Sequence, residues 1–117
     1  MPQRCFLRSK LHLATLTGCE ADYQGSISID PALLAAVDIL PNEQVEVYNR
    51  DNGNRLTTYA IPGEPGQVRL NGAAALLAEP GQRVIICSYV WLSEDEIASH
   101  APRVAILGPD NVILQVG

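Results

Sequence analysis

Proline and glycine recur along the whole chain and cut its apolar sequence into short runs. The 117 residues contain eight prolines and nine glycines. Both residues interrupt regular structure and favour turns, so the chain is suited to many short elements rather than to long helices. It has no internal repeat, no low-complexity tract and no break in composition that would mark a linker. A single domain over residues 1–117 is therefore predicted.

The runs between these breaks have the length and the residue types of strands. The sequence Asp-Asn-Gly-Asn at 51–54 lies between two of them and predicts a hairpin turn, because Asn and Gly tolerate positive φ. The strand-like segments are 4–17, 25–29, 44–48, 56–61, 67–70, 83–90, 104–107 and 112–116. So many short strands predict a mainly β fold, and closure into a barrel would protect their edges.

Only short helices are predicted. Asp30 and Pro31 can supply an N-cap and a first-turn proline for a helix over 32–37, and Ser93 can cap a helix over 94–99. The Ala-rich segment 72–77 predicts a third helix or a turn.

Charge and cysteine content exclude several functions. Eight Lys and Arg against 13 Asp and Glu give a net charge of −5, which argues against nucleic-acid binding, and an anionic substrate would need locally placed cations. No apolar run approaches the ~20 residues that cross a bilayer, so neither secretion nor membrane insertion is expected. Cys5, Cys19 and Cys87 lack the paired spacing of a metal or redox site, which indicates a reducing cytoplasm. No metal site or nucleotide-binding glycine loop is predicted.

The segment 23–30, Tyr-Gln-Gly-Ser-Ile-Ser-Ile-Asp, is the strongest candidate for chemistry. A Gly-Ser pair alone is usually a turn, but this one occurs with Arg-Ser-Lys-Leu-His at 8–12, Asn49, Arg-Leu-Thr-Thr-Tyr-Ala-Ile at 55–61 and Asn-Gly-Ala-Ala-Ala at 71–75. With these motifs in this order, the sequence resembles bacterial aspartate 1-decarboxylases from near the N-terminus to about Tyr89. The match weakens after Trp91, and the segment 18–22 and Tyr48 also depart from the family pattern.

The resemblance implies a six-stranded double-psi β barrel with short flanking helices, assembled as a homotetramer. It also implies a zymogen that cuts itself between Gly25 and Ser26 into fragments 1–25 and 26–117. The residue types suit this reaction, because glycine leaves its carbonyl unobstructed and the Ser26 hydroxyl is the nearest nucleophile. Attack would convert the amide into an ester, and elimination followed by hydrolysis would leave a covalently bound pyruvoyl group at residue 26. The resemblance assigns Thr58 to the oxyanion of this step.

A ketone at residue 26 can form a Schiff base with a substrate amine and accept the electrons released as CO2 departs. Lys10 and Arg55 are the candidates for binding the remaining carboxylate of aspartate, although isolated surface cations usually only face water. The resemblance makes Tyr59 the proton donor, whereas a tyrosine in a strand is often a packing residue.

Small residues would line the substrate pocket and let the backbone approach the substrate. By resemblance these are Gly72, Ala73 and Ala74, with Thr58 beside them. His12, Tyr23 and Asn71 would stand behind the residues that touch substrate, although Asn71 could equally cap a turn.

The function implied is pyruvoyl-dependent decarboxylation of L-aspartate to β-alanine and CO2, which serves pantothenate and coenzyme A biosynthesis in the cytoplasm. Two alternatives remain open on the sequence alone. One is a pyruvoyl decarboxylase of another amino acid, and the other is a β-barrel binding module that never cleaves.

Overall fold

The computed structural model describes residues 2–117 and is built around one sheet of nine strands. The strands are β1 (Gln3–Thr15), β2 (Gly18–Glu20), β3 (Ser26–Ile29), β4 (Gln44–Asn49), β5 (Arg55–Pro62), β6 (Val68–Asn71), β7 (Arg83–Ser93), β8 (Arg103–Leu107) and β9 (Ile113–Val116). Their order across the sheet is β2-β6-β3-β5-β4-β7-β1-β8-β9. The β1–β8, β2–β6 and β3–β5 pairs are parallel, and the other neighbours are antiparallel.

Alternation along the strands separates a core face from an outer face. On β4, Val45 and Val47 are buried, while the side chain of Glu46 between them points to the other side. The same period holds on β5, where Ala60 is fully buried and Tyr59 is exposed. The largest fully buried side chains include Leu11, Leu16, Ile27, Ile29, Leu70, Ile86 and Leu107. Branched aliphatic residues on the strands therefore form one core, and the outer face is left for polar side chains.

The sheet rolls up so that its two halves meet. The backbone amide of Thr17, just after β1, donates to the carbonyl of Val68 on β6 at 2.8 Å. The side chain of Thr17 also accepts from the Val68 amide at 3.1 Å. Because β1 and β6 stand far apart in the strand order, these contacts give the sheet a barrel-like form.

Two short α-helices flank the sheet, as predicted. Helix α1 (Pro31–Val37) begins with Pro31 at its first turn, and Asp30 Oδ1 accepts from the Ala32 amide at 2.8 Å. Helix α2 (Glu94–Ile97) is capped by Ser93, whose amide donates to Glu96 Oε1 at 2.8 Å, and it ends before the predicted residue 99. The Ala-rich segment is a 3₁₀ helix, Gly72–Leu77.

The mainly β class and all eight predicted strands are confirmed, with ends that differ by a few residues. The predicted count of six strands is not confirmed, because β2, β8 and β9 extend the two ends of a central set of six. Strand β2 was not predicted, since its three residues, Gly-Cys-Glu, carry no strand pattern and pair only through β6. Among residues 2–117, no helix is long and apolar enough to span a bilayer.

Candidate active site

Ser26 is the first residue of β3, a strand held on both sides by neighbours. Strand β6 pairs with it antiparallel and places Asn71 opposite Ser26. Strand β5 pairs with it parallel and places Ala60 opposite Ile27. Ile27 and its partners point into the core, so Ser26 points to the other face, where it is still only 1% exposed. The hydroxyl predicted to be the nucleophile is therefore buried and fixed in place.

Asn71 organises the surroundings of Ser26. Its side-chain amide is fully buried and donates to Ser26 Oγ at 3.0 Å and to Ser28 Oγ at 2.9 Å. The Ser26 hydroxyl in turn donates to the carbonyl of Gln24 at 3.1 Å. Both hydrogens of the Asn71 amide are thus used on serine oxygens, and the Ser26 proton is directed at the backbone just before Gly25.

Arg69 completes this group from the same strand. Its Nε donates to Asn71 Oδ1 at 2.7 Å, and its guanidinium lies 5.1 Å from the centre of the Tyr23 ring. We call Ser26, Ser28, Arg69 and Asn71 the serine cluster. Sequence reasoning missed Arg69 and Ser28, and only the alternation of β3 and β6, read with the β3–β6 register, could have indicated them.

Gly72 lets the chain before Ser26 pack closely against the strand that carries Asn71. Its φ is +70°, and a Cβ at this position would stand 2.6 Å from Gly25 Cα and 2.8 Å from Gly25 N. A side chain there would also meet the Tyr23 carbonyl at 3.2 Å. The segment that carries the predicted cleavage bond therefore depends on glycine at position 72. Gly72 also begins the 3₁₀ helix, in which Ala73 is exposed and Ala74 is partly buried.

Thr58 and Tyr59 lie on the neighbouring strand at the height of the predicted cleavage bond. Continuing the β3–β5 register one residue back from Ile27 and Ala60 puts Tyr59 level with Ser26. Thr58 precedes Tyr59 on β5, and Gly25 lies in the bend just before β3. Tyr59 faces away from the core, as Ser26 does, and is 38% exposed, whereas Thr58 points to the opposite side of β5.

Lys10 and Arg55 lie on the outer face, away from the serine cluster. Cys87 of β7 stands opposite Lys10 on one side and opposite Glu46 on the other. Glu46 then accepts from the Thr57 hydroxyl at 2.7 Å. Among residues 2–117, neither Lys10 nor Arg55 has a hydrogen bond or ion pair with the serine cluster.

Arg55 is held by aromatic residues. Its guanidinium lies 4.7 Å from the centre of the Tyr48 ring. The Tyr48 and Tyr89 hydroxyls are 2.8 Å apart, and this hydrogen bond is the main cause that raises the pKa of Tyr89. This hydrogen bond connects Tyr89 to the Tyr48 ring on which Arg55 stacks.

His12 shares the outer face with Lys10 two residues away. Burial lowers the pKa of His12, and the charges of Lys10 and Arg83 lower it further. Its Nδ1 is buried and has no hydrogen-bond partner among the described residues. The ring is thus held neutral at pH 7, which suits a supporting position better than that of an anion ligand.

The structure brings together Gly25, Ser26, Asn71, Gly72 and Tyr23, and sets Thr58 and Tyr59 on the adjacent strand. A buried hydroxyl beside a glycine carbonyl, held by an amide donor and a nearby cation, can attack that carbonyl. Within residues 2–117, no group of three His, Cys, Asp or Glu side chains could bind a metal ion.

Comparison with known proteins gives a consistent result. Residues 2–114 match the family described as aspartate decarboxylase. Proteins named aspartate 1-decarboxylase from Staphylococcus aureus strains JH9, Newman and USA300 are each 49% identical to this chain over 115 residues. The alignment covers 97% of this chain and 91% of each relative.

Proposed function

The chain belongs to the aspartate decarboxylase family, and from this premise we propose that it decarboxylates L-aspartate to β-alanine and CO2 after cutting itself between Gly25 and Ser26. The observation that carries the proposal is the buried Ser26 hydroxyl, which Asn71 holds directly after an exposed glycine. We also propose that the reaction takes place in the cytoplasm, as a supply of β-alanine for pantothenate and coenzyme A.

The proposed self-cleavage starts from the Ser26 hydroxyl, which Asn71 holds. Ser26 Oγ attacks the Gly25 carbonyl carbon, and the C–N bond breaks to leave an ester and a free amine. Loss of the Ser26 α-proton then breaks the Cβ–O bond and releases a fragment that ends in a Gly25 carboxylate. The dehydroalanine left at residue 26 takes up water and loses ammonia. Thr58, next to Tyr59 on β5, is our candidate donor to the oxyanion of the first step.

The surroundings of residue 26 suit a pyruvoyl group. The Asn71 amide already points a donor at this position, and the serine cluster contains no carboxylate that would repel a substrate anion. The pyruvoyl carbonyl would supply an electrophile for the substrate amine and a sink for the electrons of the broken C–C bond. Tyr59, on the same face and level with Ser26, is placed to hold a proton for the carbon that loses CO2.

Lys10 and Arg55 are the proposed ligands of the aspartate carboxylates. Arginine can bind a carboxylate with two parallel hydrogen bonds, and lysine adds a compact charge. Arg55 and Tyr59 point to the same face of β5, two alternations apart, so Arg55 lies roughly 13 Å along the strand from Tyr59. A substrate placed between them could contact Arg55 because the arginine side chain is long.

Lys10 lies far from Ser26 when the distance is followed along the sheet. Strand β1 stands four strand spacings from β3, about 19 Å along the sheet at 4.8 Å per strand. On the other side, where Thr17 contacts Val68, Lys10 lies seven residues before Thr17, roughly 23 Å along β1. Among residues 2–117, Lys10 also has no hydrogen bond or ion pair with the serine cluster. We therefore propose the homotetramer as the working form, with Lys10 supplied across an interface.

Replacing Ser26 tests the proposed nucleophile. Ser26→Ala should abolish both cleavage and β-alanine formation, because the attacking oxygen is gone. Ser28→Ala is the matched control, since it removes the other hydroxyl held by Asn71 and should cost a similar ~1–3 kcal/mol of stability. Intact mass, β-alanine assay and thermal melting of both variants measure this. Cleavage of the Ser26→Ala chain at the normal bond would refute the proposal.

Tyr59→Phe separates the two reactions. The variant should still cut itself, because the phenol takes no part in the attack on Gly25. Decarboxylation should fall about 10²–10⁴-fold, the usual contribution of a positioned proton donor. The assay compares kcat for aspartate, with glutamate, histidine and arginine as alternative substrates for the wild-type chain. Normal turnover by the Phe variant would remove Tyr59 from the reaction, and preference for another amino acid would change the substrate.

A further inference from the structure

Arg69 is the charged residue nearest to Ser26 in the hydrogen-bond network, and the function proposed above gives it no role. We propose that Arg69 is a positioning residue for self-cleavage, because it fixes the orientation of the Asn71 amide that donates to Ser26. This inference rests on the proposed cleavage between Gly25 and Ser26. It adds a group that acts through Asn71 and does not touch the reacting atoms.

The first step of the argument is the orientation of the amide. An asparagine amide can present either its oxygen or its nitrogen to a neighbour. Here Arg69 Nε donates to Oδ1 at 2.7 Å, and a guanidinium can only donate. Oδ1 must therefore face Arg69, which leaves Nδ2 to face Ser26 and Ser28.

The second step is what this orientation does for the nucleophile. Ser26 Oγ loses its proton when it attacks, so negative charge develops on or next to that oxygen. The Nδ2 donor stabilises this charge, whereas an amide turned the other way would oppose it with its oxygen. The positive charge on the far side of the amide strengthens the donor further.

The third step is how Arg69 itself is held. Strand β2 pairs beside it, with Gly18 in register, and a Cβ on Gly18 would stand 3.3 Å from Arg69 Cγ. The guanidinium packs on the Tyr23 ring. Among residues 2–117, no carboxylate forms an ion pair with Arg69, so its charge is directed to Asn71 without direct neutralisation.

The test compares two substitutions that separate the aliphatic stem of Arg69 from its charged donor. Arg69→Met keeps the aliphatic stem over Gly18 and removes the charged donor, while Arg69→Lys keeps a charged donor. Cleavage is followed by intact mass against time in freshly synthesised full-length chain, with thermal melting as the check on folding. The Met variant should cleave at least about tenfold more slowly, as expected for loss of a hydrogen bond to a charged group. The Lys variant should stay within about threefold of wild type.

A purely structural role for Arg69 predicts the reverse order, because Met preserves the packing. The inference is overturned if the Met variant cleaves at the wild-type rate, or if Lys is no better than Met. Arg69→Gln, which also lacks the charge, should be slow as well and replaces Met in the comparison if the Met variant does not fold. If the wild-type chain stays uncut, the proposed function fails and the inference fails with it. Normal wild-type cleavage with a fast Met variant refutes the inference alone.

Discussion

At the scale of single residues, the site depends on Asn71 and Gly72, which follow one another in the chain. Asn71 donates its two amide hydrogens to the oxygens of Ser26 and Ser28. Gly72 allows the segment before Ser26 to pack closely against β6. In our proposal, Asn71 orients the nucleophile and Gly72 lets the bond to be attacked lie beside it. Both positions are buried. A larger side chain at Gly72 or loss of the amide at Asn71 would therefore disturb the packing.

Gly72→Ala should stop or greatly slow self-cleavage. The added Cβ would stand 2.6 Å from Gly25 Cα, and backbone atoms must shift to relieve that contact. Gly53→Ala is the matched control, because Gly53 has a similar φ of +76° but open space around the position. Both variants should lose about 1–2 kcal/mol of stability from the left-handed backbone, yet only Gly72→Ala should lose cleavage. Equal cleavage by the two variants, measured by intact mass, would contradict this account.

The sequence could not indicate Arg69. In the strand pattern, Arg69 is indistinguishable from a solvent-facing cation on a short strand. Its proposed role also depends on β2, which carries no sequence signal of its own. Tyr59 and Thr58 were predicted from the resemblance, and the position of Tyr59 beside Ser26 depends on a parallel pairing that alternation alone does not fix.

At the scale of elements, two sets of strand pairs have different roles. The β3–β6 and β3–β5 pairs form the proposed cleavage site, and the β4–β5 and β4–β7 pairs carry the aromatic residues beside Arg55. The strands themselves were predictable from their composition and from the turns between them. Their order was not, because it is set by long-range pairing and by the roll of the sheet.

Removing either hydroxyl of the Tyr48–Tyr89 pair should weaken the binding of aspartate. Tyr48→Phe and Tyr89→Phe both leave the rings in place but release the one on which Arg55 stacks. Each should raise KM for aspartate about 2- to 10-fold with little change in kcat, as expected for one neutral hydrogen bond. The double variant should be no worse than either single one, because all three lack the same bond. Effects that multiply, or that fall on kcat alone, would contradict the positioning of Arg55.

At the scale of the whole molecule, we propose that the complete site forms only in the assembly. The rolled sheet places the serine cluster and Lys10 on walls that are four strands apart. The resemblance predicted Ser26, Lys10 and a homotetramer. Only the strand order gives a reason to propose that the tetramer brings Lys10 to Ser26.

Mixed assemblies test whether Lys10 acts across an interface. Chains with Lys10→Ala and chains with Ser26→Ala should each be inactive alone. Co-expressed in equal amounts, they should recover about a quarter of wild-type activity, because random pairing gives that share of sites an intact Ser26 and an intact Lys10 from different copies. Activity per assembly is measured as β-alanine formed. No recovery in mixed assemblies of normal size would place Lys10 and Ser26 in one chain's site.

The central claim is that the bond between Gly25 and Ser26 is cut and that the new end does the chemistry. Intact-mass analysis of purified wild-type chain, combined with an assay of β-alanine from aspartate, tests it most directly. We expect two fragments, residues 1–25 and residues 26–117, the second without a free amine at its first residue, together with β-alanine formation. A chain that stays in one piece and makes no β-alanine would contradict the account.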